Sequence, residues 1–455
     1  MVVLAVLMRV VYVSLILGVL VTIISKLRAG AKIGVIVFIG FLVLGINAQT
    51  VFVFLEKQSI NTDCKGCNLI VIIPELLRQD RVGPYTPSID AFFADAWNFT
   101  NVYSTAPWTL PSHSSFLTGV YPSRHGALYD QASRLPDTIT NIAQFLAAQG
   151  YNTSVFSGSS HLGSIYNILE KFEYAQEIIY LNATTRAQVI SALESQEGPF
   201  FMVISFFNLR RPYKTGAISS ALNYTGPLTN VYLEAPFFNN ITAQRTDAGL
   251  AFTLNTAQGP LALTQEDIDY VHARDYDTYL EMDAQLKALF EYFESSGLVN
   301  NSIIMLGSDH GTEVFEHWLS RTDFYQSSVH IPVRVRTPSS TARDITYLMS
   351  NTDFFPTFVS MLGFDAPRGL DGVNIWQASH DYVFGESQNT SNAYMVTDGT
   401  LRLAVQDFFS AKNVELYNVR DDPNETRNLA EEMNVESTDI YRALVSFYKS
   451  SAGFR

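Results

Sequence analysis

The chain has 455 residues, 47% of them hydrophobic, and a formal net charge of −14. That length allows a large core and more than one small domain. The acidic balance excludes the basic face of a nucleic-acid binder, so no nucleic-acid partner is expected.

The first predicted elements are membrane spans. Ile33 to Leu55 contains no charged residue, and at roughly 1.5 Å per residue a helix of that length crosses a hydrocarbon core. Val10 to Ile24 is also apolar, and Met1 to Met8 extends it if Arg9 snorkels to an interface. The connection carries Lys26, Arg28 and Lys32, which places it in the cytoplasm by the positive-inside rule. The expectation is a two-helix transmembrane hairpin over 1–57, a linker over 58–66 and an extracytoplasmic remainder at the cell membrane, with the lipid bilayer as partner. A signal peptide ending near Ser25 is the rival reading, but no convincing small-residue cleavage site supports it. Sequons at Asn98, Asn152, Asn182, Asn223, Asn240, Asn300, Asn389 and Asn424 fit the same topology if the host glycosylates. Cys64 and Cys67 are the only cysteines. A lone C-K-G-C reads as a small local disulfide or as two free thiols outside the fold.

Strands and helices then alternate. "NLIVII" (Asn68–Ile73) is a continuous apolar run, as a strand buried on both faces of a parallel sheet requires. "PWTLPSHSSFLTG" (Pro107–Gly119) predicts a helix from about Ser112, with Pro111 in its first turn, Ser112 as cap and Thr118-Gly119 at its end. "PFFMVISFF" (Pro199–Phe207) and "SIIML" (Ser302–Leu306) repeat the buried-strand signal. Between them, Leu286, Leu289, Phe290 and Phe293 mark one face of a helix over Tyr276–Ser296, ended by Gly297. Alternation of this kind implies an α/β sandwich around a mostly parallel sheet. Ligands bind such folds beyond the carboxyl ends of the strands.

The residues just beyond these strands are chemically selective. Glu75 comes after the first run and Asp309-His310-Gly311 after the last. Two carboxylates and an imidazole on one rim suit a hard divalent cation, and the histidine favours Mn²⁺ or Zn²⁺ over Ca²⁺. A hydroxyl on such a cation becomes a usable nucleophile near neutral pH. Thr109, just ahead of a helix whose N–H groups suit an anion, is placed for that role.

Together these segments resemble the sulfatase branch of the alkaline phosphatase superfamily, over nearly everything after residue 66. "CNLIVIIPELLRQDRVGPYTPSID" is similar to the family's first strand and ligand loop, and "TLPSHSSFLTGVYPSRHG" to its nucleophile motif. "GYNTSVFSGSSHLG" resembles its second motif and "GSDHGTEVFEH" its metal-binding segment. "NTDFFPTFVSMLG" and "ELYNVRDDPNETRNLA" resemble its C-terminal segments. The resemblance implies an alkaline phosphatase-like fold, with a catalytic α/β domain over 67–375 and a small C-terminal subdomain over 376–455.

The departures are specific. Sulfatases carry a Cys or Ser that is oxidised to formylglycine, where this chain has Thr109, and their motif arginine is His113, on the substrate side. The set Glu75, Thr109, Asp309 and His310 resembles the phosphoglycerol transferases, such as lipoteichoic acid synthase. That resemblance implies one divalent metal ion, Mn²⁺ or Mg²⁺ ahead of Zn²⁺ or Ca²⁺, and a threonine nucleophile. Arg210 stands where the family has a substrate-side histidine, Arg321 where it has a lysine, and His161 matches the histidine of the second motif. The implied activity is metal-dependent hydrolysis or transfer of phosphate or sulfate esters, such as lipid head groups or surface glycans. In it Thr109 attacks and Arg321, Arg210 and His161 hold the equatorial oxygens. The alternative is a catalytically weak, membrane-anchored binding protein that keeps the fold.

Overall fold

The structure, a computed structural model, describes residues 60–128, 133–159, 163, 166–233, 235–246, 249–317, 324–388, 392–406 and 413–452. Residues 62–455 cluster as one compact unit. At its centre is an eight-stranded sheet. In chain order its strands are β1 (Asn68–Pro74), β2 (Trp97–Phe99), β3 (Asn152–Ser157), β4 (Tyr174–Gln176), β5 (Phe200–Phe206), β6 (Ser302–Gly307), β7 (Val333–Arg336) and β8 (Arg343–Ile345). Their spatial order is β8-β2-β7-β6-β1-β5-β3-β4. β7 runs antiparallel to both of its neighbours and every other pairing is parallel. The sheet is therefore mixed rather than uniformly parallel.

The three apolar runs fall where they do because both faces of the sheet are covered. Ile70, Ile72, Met202, Ile204, Ile304 and Leu306 pack on one side against the helices Pro87–Phe92, Ala183–Glu194 and Gln265–Ser295. Leu69, Val71, Val203 and Met305, the alternate positions, are equally buried, so each strand lacks the polar alternation of a half-exposed one. The antiparallel β7 shows that alternation, with its two valines buried and its two arginines half-buried.

The helix expected over Tyr276–Ser296 starts earlier, at Gln265. Thr264 and Asp267 form a capping box there, each side chain bonding the other's backbone, which satisfies N–H groups that a helix start leaves bare. Gly297 ends it with φ of 78°. After the main sheet come four antiparallel strands, Val383–Ser387, Ala393–Thr397, Leu401–Gln406 and Asn413–Asn418. The helix Asp439–Ala452 covers them through Ile440 and Leu444.

Cys64 and Cys67 form a disulfide. The Cys64 N–H donates to the Met361 carbonyl at 2.7 Å, so the bridge is attached to the fold.

The membrane hairpin expected over 1–57 lies outside the described residues. Among the described residues no helix is long and apolar enough to cross a membrane. Even the 31-residue Gln265–Ser295 helix is dense in Asp, Glu, Lys and Arg. The two-pass placement at a cell membrane, and the bilayer as partner, are corrected on this finding.

Candidate active site

Glu75 leaves β1 at the sheet's carboxyl edge. Its N–H donates to Phe206 O on β5 at 3.0 Å, and its side chain is fully buried. The next residue, Leu76, takes φ of 72°, a left-handed conformation costly for a leucine. That turn brings the Leu76 N–H to Asp309 Oδ1 at 3.2 Å and ties the end of β1 to the end of β6.

Thr109 opens the helix Thr109–Thr118, after an extended Trp108. The helix begins about three residues earlier than the sequence predicts, and Ser112 lies inside it rather than capping it. The Ser112 hydroxyl donates to the Asp309 carbonyl at 2.5 Å and accepts from Asn351 Nδ2 at 2.9 Å. It therefore fastens the first turn to the segment after β6. Gly119 closes the helix in the left-handed conformation, φ 70°, as expected.

The Thr109 hydroxyl lies at the centre of the site. It is 3.4 Å from Glu75 Oε2, 3.3 Å from His310 Nε2 and 3.2 Å from Arg210 Nη2. Arg210 follows β5, lies over the Phe207 ring at 4.0 Å and also donates to Glu75 Oε2 at 3.3 Å. The other Glu75 oxygen accepts from Ser205 Oγ at 3.0 Å. Ser205 was not foreseen from the sequence; the only signal for it is a hydroxyl inside an apolar strand.

The electrostatics leave room for a cation. His310 Nδ1 lies 2.7 Å from the Gly311 carbonyl, so that nitrogen carries the proton. Nε2 then presents a lone pair, and it faces Asp309 Oδ2 at 3.3 Å. Asp309 Oδ2 is buried and accepts no hydrogen bond. His113, one turn along the helix, has its Nδ1 3.2 Å from Thr109 O and 3.7 Å from Asp309 Oδ2, and its buried Nε2 has no partner. Glu75, His113 and Asp309 each offer a ligand atom within 4.8 Å of the others. Acceptors facing one another in a dry site repel unless a proton or cation lies among them. This donor set fits a divalent cation.

The titration shifts agree. Burial, then the Asp309 charge, pushes Glu75 up to about 8. Burial also raises Asp309, but in the absence of a cation the charge of a protonated His310 or His113, with backbone N–H groups, outweighs it and holds the carboxyl below its usual range. Burial holds His113 below its ordinary value, in the neutral form a metal ligand needs.

Glu75, Thr109, His113, Arg210, Asp309 and His310 thus meet in one place. His113, expected on the substrate side, lies with the metal-type ligands. His161 and Arg321 lie outside the described residues.

Two cavities are relevant. A cleft of about 340 Å³ has Arg210 in its wall. A larger one, about 830 Å³, is lined by Arg78, Tyr103, His317, Gln326 and Glu425 among others, and holds none of the six site residues.

Residues 50–364 match the family model described as sulfatase, and 315–446 match the C-terminal model of N-sulphoglucosamine sulphohydrolase. Among curated proteins, the chain is 20% identical to an arylsulfatase K of Xenopus laevis, over 78% of this chain and 76% of that one. It is 21% identical to a delta 4,5-hexuronate-2-O-sulfatase of Bacteroides thetaiotaomicron, over 80% and 85%. In structure it is similar to a phosphonate monoester hydrolase of Agrobacterium radiobacter, with TM-score 0.63, 18% identity and coverage of 86% and 95%.

Proposed function

The chain belongs to the sulfatase family, a hydrolase by that membership, and from this premise we propose that it cleaves phosphate or sulfate esters through a Thr109 nucleophile. The reading rests on the Thr109 hydroxyl, buried at a helix start within 3.2 to 3.4 Å of a guanidinium, an imidazole and a carboxylate. A threonine is a secondary alcohol and has no oxidative route to an aldehyde, so covalent catalysis must use the alcohol itself. Thr109 Oγ1 attacks the phosphorus or sulfur in line, the bond to the leaving oxygen breaks, and the group is held as a threonyl ester. Glu75 Oε2, ionised once a cation offsets the Asp309 charge, would be the proton acceptor, and water or an acceptor alcohol then releases the group. Arg210, with Arg321 and His161 as further candidates, balances charge on the equatorial oxygens.

Glu75, Asp309 and His310, with Thr109, would hold a divalent cation, Mn²⁺ or Mg²⁺, and His113 adjoins them. When bound, such an ion lowers the hydroxyl pKa and offsets the anionic charge. The relatives named as sulfatases and as a phosphonate monoester hydrolase support the ester class. We carry 67–375 as the catalytic domain and 376–455 as the C-terminal subdomain on the same footing.

The test is turnover of aryl phosphodiester, phosphomonoester and sulfate esters with Mn²⁺, by wild type and Thr109→Ala. Metal-dependent turnover that falls by at least about 1,000-fold in the variant is expected. Undiminished turnover in Thr109→Ala sinks the nucleophile.

A further inference from the structure

The cleft beside Arg210 adjoins the reacting centre, because Arg210 lines it and the Arg210 guanidinium reaches Thr109 Oγ1 at 3.2 Å. At about 340 Å³ it is at the small end of ligand pockets, which suits one ring with its substituents rather than a chain. Tyr180 and Tyr232 line it and are 46% and 63% exposed. Aromatic rings with a polar tip, left in water beside a reaction centre, are suited to packing on a substrate ring.

The polar groups of the cleft divide into spent and available. Asn208 uses both ends of its amide on the Leu181 backbone, at 2.7 and 2.9 Å. Asn182 Oδ1 caps the helix after it, accepting from Thr184 and Thr185. Gln285 Oε1 accepts from Arg186 at 3.2 Å. The charged groups are Glu281, Lys214 and Arg210, whose Nη2 reaches Glu75 and Thr109 while its Nε is buried without a partner. Lys214 is fixed by its backbone, donating to Thr278 Oγ1 at 2.8 Å. Among the described residues its ammonium has a loose contact with Glu281, 3.7 Å between two exposed side chains, and such pairs contribute little. Arg210 already faces Glu75 at 3.3 Å, so among the described lining residues Lys214 is the cation held least closely by a carboxylate.

We propose that this cleft is the subsite for the group carrying the ester, with Tyr180 and Tyr232 flanking its ring. Lys214 is the specificity-determining residue and reads a second negative charge on that ring. The substrate class is then a single ring bearing two anionic groups, one the ester to be cleaved and the other a carboxylate or second ester. This deepens the Thr109 reading and rests on it for the direction of cleavage.

The experiment compares kcat/KM of the full-length chain with Mn²⁺ on phenyl, 3-carboxyphenyl and 4-carboxyphenyl esters, as phosphates and as sulfates. Wild type should prefer a carboxylated ester by about tenfold or more, the scale of one well-placed charge pair. Lys214→Met should reduce that ratio to about twofold or less, and Lys214→Arg should retain most of it. Equal rates in wild type, or an undiminished ratio in Lys214→Met, overturns the proposal. A binding arm separates it from the catalytic reading. Phenylphosphonate and the two carboxyphenylphosphonates are titrated by calorimetry into the wild-type chain and Lys214→Met. If no ester is turned over, the Thr109 reading fails. A Lys214-dependent preference among the phosphonates would still support the subsite, and equal affinities would sink it.

Discussion

In the metal-free protein Glu75 keeps a proton at neutral pH because burial and Asp309 raise its pKa to about 8. The unfolded chain loses that proton near the ordinary value of 4.5. Between the two values the folded state binds more protons, so stability falls as pH rises. The metal-free protein should therefore lose thermal stability from pH 5 to pH 8, and Mn²⁺ should restore more of it the higher the pH. Scanning calorimetry with and without Mn²⁺ checks this, and Glu75→Gln should flatten the metal-free slope. A slope unchanged in that variant would place the titration elsewhere. At this scale much of the site was legible. Glu75, Asp309 and His310 each follow an apolar run, and the topology rule directs attention there. The placement of His113 was not legible, because it depends on where the helix starts. That start is set by Ser112 bonding the Asp309 carbonyl, a partner 197 residues away, and not by a local cap.

The segment after β6 is fixed by two devices, each with a measurable consequence. A Cβ at Gly311 would lie 1.9 Å from the Ser327 carbonyl oxygen. Gly311→Ala should cost about 3 kcal/mol of stability, read from the urea midpoint, because backbone must move. His317 joins the same segment to the loop after the last strand. Its Nδ1 is 3.0 Å from Glu313 Oε2, its Nε2 is 3.0 Å from the Asn424 carbonyl, and its ring stacks on Tyr325. Both nitrogens face acceptors, which only the imidazolium satisfies. Burial pulls the His317 pKa down, but the Glu313 hydrogen bond and charge, with Glu425 beyond them, outweigh it and the net shift is upward. A cation of raised pKa gives its full stabilisation below the unfolded value of 6.5 and loses it as pH climbs through the folded one. Urea midpoints of wild type and His317→Gln should converge as pH rises from 5.5 to 9. A constant gap would mean the ring acts by packing alone. The Cys64–Cys67 bridge closes a very short loop, so Cys64→Ser with Cys67→Ser should cost no more than about 2 kcal/mol in the same assay.

For the molecule as a whole, the buried strands were readable because β1, β5 and β6 are apolar over nearly all their length, as a sheet covered on both faces requires. The antiparallel β7 was not read. Four residues of valine–arginine alternation are too short to reveal a partner, and its direction is set by neighbours distant in the chain. The same distance governs how the protein is made. Asn68 of β1 lies beside Ser302 of β6, 234 residues later, and its other neighbour starts at Phe200. At a synthesis rate of about 5–20 residues per second, the first central strand waits roughly 10–50 s for its last partner. Through that interval a fully apolar strand leaves the ribosome with an open edge, the kind of surface that aggregates or recruits a holding chaperone. A nascent chain halted before Gly307 would carry Glu75 and Thr109 but no Asp309 or His310. The reacting centre therefore comes into being only when the sheet is closed, late in translation.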